Sequence, residues 1–156
     1  MYEPKLIVVR HGSYLSSERS LSEDKRPLSE AGKEEMKATA SAIRALMRAG
    51  EALRIFSSPT VRGMQSAEII RGILRGEKVV ALPLLEIGSR YIIGDYPKRI
   101  AKFATNLPPH SMTIAVTHIT HVMDIVAARG NRKPKEGEVP CGSGFILAGG
   151  TCTPLR

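Results

Sequence analysis

A guanidinium, an imidazole and a glycine follow a short apolar run near the start of the chain. The run covers residues 6–9 (LIVV), and the polar group is Arg10-His11-Gly12. Mostly β-branched residues over this length are typical of a buried strand. Open α/β folds bind ligands at the carboxyl ends of their parallel strands. An arginine and a histidine at such an end therefore indicate a site for an anion.

Three later positions can bring matching side chains to the same edge of the predicted sheet. Arg62 lies in the first turn of a helix after the second strand, Glu86 lies past the third strand, and His118 follows the fourth. Two arginines, two histidines and a carboxylate suit phosphoryl transfer, in which negative charge on the transferring group must be stabilised. Arginine pairs with two phosphoryl oxygens at once. A neutral imidazole nitrogen can be the nucleophile, and a carboxyl group can protonate the leaving oxygen.

Strand-like and helix-like segments alternate along the chain and would position these residues. Strands are predicted at 5–9, 53–56, 79–82 and 112–116, and a closing hairpin at 144–155. Helices are predicted after Ser29, which is a good N-cap, and after a second cap at Ser58 or Thr60. This alternation predicts a three-layer α/β sandwich whose mostly parallel sheet has helices on both faces and an antiparallel edge strand.

Two segments between the third and fourth strands are less regular. Residues from Leu84 to Pro97 show no clean hydrophobic period and are interpreted as irregular, whereas a short helix is expected over Lys98–Asn106. A further helix is expected to follow His118 and to end at Gly130. His121, one turn into that helix, is interpreted as a surface residue, with a place at the rim of the site as the alternative.

The composition is that of an ordinary soluble domain. The 156 residues, with 42% hydrophobic and 24% charged, predict one domain spanning residues 1–156. Apolar runs are too short to cross a bilayer, so no membrane partner is expected. Residues 1–5 lack the apolar core of a signal peptide, and the expected location is the cytoplasm.

The net charge of +8 favours an anionic partner. Aromatic residues make up only 4%, with no tryptophan to stack bases, so a phosphorylated small molecule or protein is a better candidate than nucleic acid. Cys141 and Cys152 match no zinc spacing and are interpreted as free thiols. Neither has an arginine six residues later, which argues against a cysteine phosphatase.

An ordered set of motifs resembles the histidine phosphatase superfamily, also called the phosphoglycerate-mutase-like family. The motifs are VVRHG at 8–12, RPLSEAG at 26–32, SSPTVRGMQSAE at 57–68, LEIG at 85–88 and VTH at 116–118. They occur in the family's order with compatible spacings from Leu6 to about Val126. Arg-His-Gly alone arises easily by chance, whereas the ordered set is specific. The RPLSEAG block and the short length are most similar to the small phosphohistidine-phosphatase branch.

The resemblance implies a phosphoric monoester hydrolase that works through a covalent phosphohistidine without a metal or other cofactor. His11 would be the nucleophile and Glu86 the general acid and then base. Arg10, Arg62 and His118 would bind and stabilise the phosphoryl group. The implied substrate is a phosphorylated protein, with phosphohistidine as the favoured case, or a small phosphate ester.

Several alternatives stay open at this point. The same fold can support phosphoglycerate-mutase-type phosphoryl transfer or a non-catalytic phosphate-binding protein, and the charge alone would also suit a nucleic-acid-binding domain. Glu18 and Asp95 are alternatives to Glu86 as the acid. Ile119 stands where the family usually has Gly or Asn, and we expect its β-branched side chain to resist unusual backbone angles and reshape the phosphate pocket.

Overall fold

A computed structural model describes residues 3–130 and 132–155 of the chain. In these residues one sheet contains β1 (Lys5–Arg10), β2 (Ala52–Ser57), β3 (Val79–Ala81), β4 (Ser111–Thr117), β5 (Gly144–Ala148) and β6 (Thr151–Pro154). The order across the sheet is β3-β2-β4-β1-β5-β6. The first four strands in this order run parallel, and the β5–β6 hairpin runs antiparallel at one edge. The predicted sheet is therefore confirmed.

Helices cover both faces of this sheet. They are α1 (Glu30–Arg44), α2 (Val61–Leu74), α3 (Ser89–Ile92), α4 (Tyr96–Thr105) and α5 (Ile119–Gly130). Side chains along β1 alternate between two cores: Leu6 and Val8 pack with α4 and α5, whereas Ile7 and Val9 pack with α1 and α2. The chain thus forms the predicted three-layer α/β sandwich.

Two caps and two glycines fix the helices beside the end of β1. Ser29 accepts from the Gly32 amide at 3.0 Å, and Thr60 is the cap of α2. A Cβ on Gly32 would lie 1.9 Å from the Ser13 carbonyl oxygen, and one on Gly12 would lie 2.7 Å from the Gly32 carbonyl oxygen. The Arg-His-Gly loop therefore rests directly on the first turn of α1, and this contact admits no side chain at either glycine.

The segment interpreted as irregular contains more regular structure than predicted. A 3-10 turn at Pro83–Leu85 and α3 lie within it, and α4 begins at Tyr96 rather than at Lys98. Three- and four-residue helices are too short to show a hydrophobic period, so the interpretation as irregular is wrong there. The earlier start of α4 places Tyr96 in the buried stripe of that helix.

Three further features concern the thiols, the side chains that can bind metals and the lengths of the apolar helices. Cys141 and Cys152 are both free thiols. Within residues 3–130 and 132–155, no group of three or more His, Cys, Asp and Glu side chains is placed to hold a metal ion. In the same residues no helix is both long and apolar enough to cross a membrane.

Candidate active site

Four of the five predicted site residues meet where β1 and β4 end. Because these strands are parallel neighbours with Arg10 opposite Thr117, the residues that follow, His11 and His118, lie side by side. Their ring centroids are 5.1 Å apart, and the Nε of Arg62 donates to the Nε2 of His11 at 3.2 Å. His11, Arg62 and His118 each expose 3% or less of their surface. The result is a nearly buried cluster of basic side chains.

The hydrogen bonds of His11 select one tautomer of its ring. Nδ1 lies 2.8 Å from the carbonyl oxygen of Gly12, which can only accept, so Nδ1 carries the proton. Nε2 then has a free electron pair, to which the Arg62 Nε–H donates. The backbone of the motif itself thus leaves the ring's electron pair on Nε2 rather than on Nδ1.

Burial keeps both histidines neutral at pH 7. Loss of hydration lowers the pKa of His11 to about 4, and the charges of Arg62 and Arg10 act in the same direction. Loss of hydration also lowers the pKa of His118 to about 2, helped by the neighbouring histidine and arginine charges. A neutral imidazole is the form that can attack phosphorus.

Two buried polar atoms at this edge have no hydrogen-bond partner in the described residues. Arg10 donates through Nη1 to the Val139 carbonyl at 2.8 Å, but its Nε is unpaired. His118 bonds the Ser58 hydroxyl through Nε2 at 2.8 Å, but its Nδ1 is unpaired. Buried unpaired polar atoms are costly, and the oxygens of a phosphoryl group would supply an acceptor for the Arg10 Nε–H.

Helix α2 is tied to two of the motifs that carry the resemblance. The Gly12 amide donates to the Ser66 hydroxyl at 3.1 Å, and the Leu28 amide donates to the side-chain oxygen of Gln65 at 2.8 Å. These bonds join the Arg-His-Gly loop, the RPLSEAG block and the SSPTVRGMQSAE block. They also hold α2 so that Arg62, in its first turn, faces His11.

Two residues that sequence reasoning did not identify cover the arginine. Glu23 accepts from Arg62 twice, through its carbonyl from Nη1 and through its carboxylate from Nη2 at 3.2 Å. The Tyr14 hydroxyl donates to the same carboxylate at 3.0 Å, and the centroid of its ring lies 4.3 Å from the Arg62 guanidinium carbon. Both lie in residues 12–27 before α1, a long polar segment of the kind that often carries function.

Glu86, the fifth predicted site residue, has no bond to this cluster within the described residues. It follows the 3-10 turn whose last residue, Leu85, accepts from the Thr117 hydroxyl at 2.7 Å, so its backbone lies beside the end of β4. None of the bonds that join the two histidines and Arg62 in the described residues involves its carboxylate. Of the alternatives, Glu18 bonds Ser20 within its own exposed loop and Asp95 is the left-handed residue before α4. Glu86 as the acid stays a prediction.

His121 is buried, so its interpretation as a surface residue is wrong. It has no exposed surface, its ring centroid lies 6.0 Å from that of His118, and its Nε2 bonds the Ser89 hydroxyl at 2.6 Å. The cause is α3, a short helix that sequence patterning missed and that covers this face of α5. Burial lowers the pKa of His121 to about 4.

Ile119 is an ordinary helical residue. It begins α5, packs against the apolar core and is not among the described residues with positive φ. A β-branched side chain fits such a backbone, because its χ1 is restricted but allowed in a helix. The unusual backbone angle from which a reshaped pocket is expected therefore does not arise at this position.

Lowering the pH from 6.5 towards 4 is expected to destabilise the fold. His11, His118 and His121 have pKa values of about 4, 2 and 4 when folded, well below the unfolded value of 6.5. In this window the unfolded chain binds the additional protons, so the free energy of unfolding falls with pH by roughly 1 kcal/mol per pH unit for each histidine. Urea unfolding at pH 7 and pH 5 measures this loss. Between these pH values a His121→Gln variant should lose less free energy of unfolding than the wild type. An equal loss would show that His121 does not contribute to the pH dependence.

Comparison with known proteins finds similarity in structure but not in sequence. No protein-family model matches the chain, and no curated protein matches its sequence. The protein histidine phosphatase SixA complexed with tungstate superposes with a TM-score of 0.69 and 18% identity, covering 97% of this chain and 94% of that one. Phosphoglycerate mutase from Plasmodium falciparum superposes with a TM-score of 0.66 and 14% identity, and the match covers 100% of this chain and 91% of that one. Bacillus stearothermophilus YhfR superposes with a TM-score of 0.66 and 18% identity, and the match covers 97% of this chain and 95% of that one. These likenesses confirm the fold that the resemblance implies.

Proposed function

We propose that the chain belongs to the small phosphohistidine-phosphatase branch of the histidine phosphatase superfamily and is a metal-independent phosphatase. The observation that carries this proposal is the unprotonated Nε2 of His11, which accepts a hydrogen bond from the Nε–H of a buried arginine. The ordered motifs and the fold shared with SixA support it. A pocket that only bound phosphate would not need a neutral imidazole at its centre.

The first chemical step forms a bond between the His11 Nε2 and phosphorus. The Arg62 Nε–H gives up its hydrogen bond to Nε2 and donates instead to a phosphoryl oxygen, and Arg62 stays protonated throughout. The unpaired Nε–H of Arg10 and the ring of His118 face the developing charge. The bond from phosphorus to the leaving oxygen breaks, and that oxygen takes a proton from the Glu86 carboxyl group.

The second step returns the enzyme to its starting state. Water attacks the phosphorus of the phosphohistidine and gives a proton to the Glu86 carboxylate. The bond from phosphorus to nitrogen breaks, and its electrons return to the His11 Nε2. The product is inorganic phosphate. The substrate is a phosphorylated protein, with phosphohistidine favoured, or a small phosphate ester.

Release of inorganic phosphate from an aryl phosphate in EDTA tests this function. Turnover that is unaffected by the chelator is the expected result, and its loss in EDTA would contradict metal independence. Transfer of the phosphoryl group to phosphoglycerate rather than to water would identify a mutase. If aryl phosphate, phosphoramidate and a phosphohistidine peptide all remain intact while vanadate binds, the protein is a phosphate-binding protein without catalysis.

Replacing Glu23 with glutamine is expected to tighten binding of vanadate, a phosphate-like oxyanion, by about two- to fivefold. The Glu23 carboxylate is bonded to Arg62 and competes with an anion for the same guanidinium. It is half-exposed, so its removal has the modest effect of a surface ion pair. The inhibition constant for vanadate measures the change.

A Glu30→Gln variant is the matched control, because Glu30 pairs with Lys33 on α1 and has no bond to the site. Its inhibition constant should equal that of the wild type. Weaker vanadate binding in Glu23→Gln would contradict competition and show that Glu23 holds Arg62 in its binding orientation.

A further inference from the structure

A groove with a basic rim lies between β2 and α4, outside the cluster described above. It encloses about 540 Å³, within the usual range of ligand sites. Arg54 and Phe56 reach it from one face of β2 because they are two residues apart on a strand. Helix α4 contributes side chains at positions 99, 102 and 103, which share one face of the helix, and its C-cap residue Asn106 follows on the same side. We call this the basic groove.

The positive charge of the basic groove is uncompensated. Arg54, Arg99 and Lys102 line it, no acidic residue does, and none of the three forms an ion pair within residues 3–130 and 132–155. Arg54 is half-buried, and in the described part of the chain its guanidinium bonds the Thr113 hydroxyl alone, from Nε at 3.2 Å and from Nη2 at 2.9 Å. A ligand with negative charge would therefore find three available cations.

The floor of the basic groove is apolar and shaped by aromatic rings. Phe56 and Phe103 meet edge to face with centroids 5.7 Å apart, and the Arg54 guanidinium lies 5.3 Å above the Phe56 ring. Leu82 and Leu84 complete the floor and are half-exposed. Such a floor accommodates one large apolar or aromatic side chain, because it removes apolar area from water on both partners.

The basic groove borders the candidate active site. Phe56 lies two residues before Ser58, the partner of His118, and Leu84 lies two residues before Glu86. Two residues separate Cα atoms by about 7 Å at most. The stretch from Arg99 in α4 to its C-cap residue Asn106 is about 10 Å long. This length matches about three residues of extended peptide.

We infer that the basic groove binds an acidic segment of the phosphorylated protein substrate, in which carboxylates flank one large apolar side chain. This inference rests on the proposed function and names its substrate class. The three cations receive the carboxylates, the aromatic floor receives the apolar side chain, and the neighbouring site receives the phosphoryl group. The net charge of +8 steers such a partner to the protein.

Two phosphohistidine peptides that differ only in their flanks test the inference. One carries Glu-Phe-Asp on each side of the phosphohistidine, and the other carries Ser-Phe-Ser. The wild type is expected to favour the acidic peptide in kcat/KM by about tenfold, as for a few charge contacts near the surface. Arg99→Glu with Lys102→Glu is expected to abolish this preference and to leave aryl phosphate hydrolysis unchanged.

A control with the same change in net charge is Arg44→Glu with Lys98→Glu, since neither side chain lines the basic groove. This variant should keep the preference for the acidic peptide. Equal rates for the two peptides in the wild type, or a preference that survives in Arg99→Glu with Lys102→Glu, would overturn the inference.

Direct binding separates failure of the groove from failure of the proposed function. A fluorescein-labelled, unphosphorylated Glu-Phe-Asp peptide should bind His11→Ala protein, which retains the groove, and should bind at least fivefold more weakly when Arg99 and Lys102 are also reversed. This result supports the groove even if no phosphate is released from any substrate. Binding that is unaffected by the reversal, or displacement of the peptide by equimolar AMP, would overturn a peptide site.

Discussion

Replacing His11 with alanine is expected to lower kcat/KM for an aryl phosphate by about 10⁴-fold or more, as for other removed nucleophiles. The electron pair on its Nε2 is the one that attacks phosphorus. Neither His118 nor the arginines of the site can replace it as the nucleophile. The His118 Nε2 is bonded to Ser58, the ring of His118 is assigned to the developing charge, and the arginines are always protonated. Steady-state release of the aryl alcohol measures the loss.

The loss must be separated from unfolding, because His11 is nearly buried and its removal leaves the Arg62 Nε–H without its acceptor. Circular dichroism and vanadate binding of the variant provide the check. A His11→Asn variant, which restores some polar contact but no nucleophile, should be equally inactive. Turnover in either variant within tenfold of the wild type would contradict the proposed mechanism.

Replacing Arg62 with alanine is expected to lower kcat by about 10²–10³-fold, the usual effect of losing one preorganised contact to a developing charge. Arg62 exposes 1% of its surface, so its charge acts where little water screens it. It is also the group that holds the Nε2 of His11 in the structure. Rapid-quench measurement of phosphoryl transfer reports the chemical step separately from binding.

An Arg62→Lys variant is expected to recover part of the rate, since it keeps the charge but loses the two-pronged donor geometry. Arg71 lies on the same helix, where it pairs with Glu68 at the surface, so Arg71→Ala should remain within about twofold of the wild type. Near-normal kcat in Arg62→Ala would show that this arginine does not stabilise the transferring group.

The fold was predictable because its main elements carry strong periodic patterns. Residues 6–9 are a continuous apolar run and residues 112–116 are apolar except for Thr113, as is typical of central parallel strands, and Ser29 marks the start of α1. The hairpin predicted at 144–155 is present, and it turns at Gly149 and Gly150, which both adopt positive φ. The four-residue α3 escaped prediction since a single turn has no repeat to detect.

The part of the site anchored to strand ends was also predictable, because parallel strands bring their carboxyl ends to one edge. His11 and His118 meet for this reason. Glu23 and Tyr14 could not be placed, since they reach Arg62 only through the path of a long loop. The burial of His121 depends on α3 and so was missed with it.

Trapping the phosphoryl group tests the central claim most directly. The protein is mixed with phosphoramidate, quenched within milliseconds in base, digested and analysed by mass spectrometry. We expect an acid-labile, base-stable phosphoryl group on the peptide that contains His11, formed and lost at rates compatible with turnover. Turnover with no label on His11, or with the label on His118 or His121 instead, would contradict the proposal.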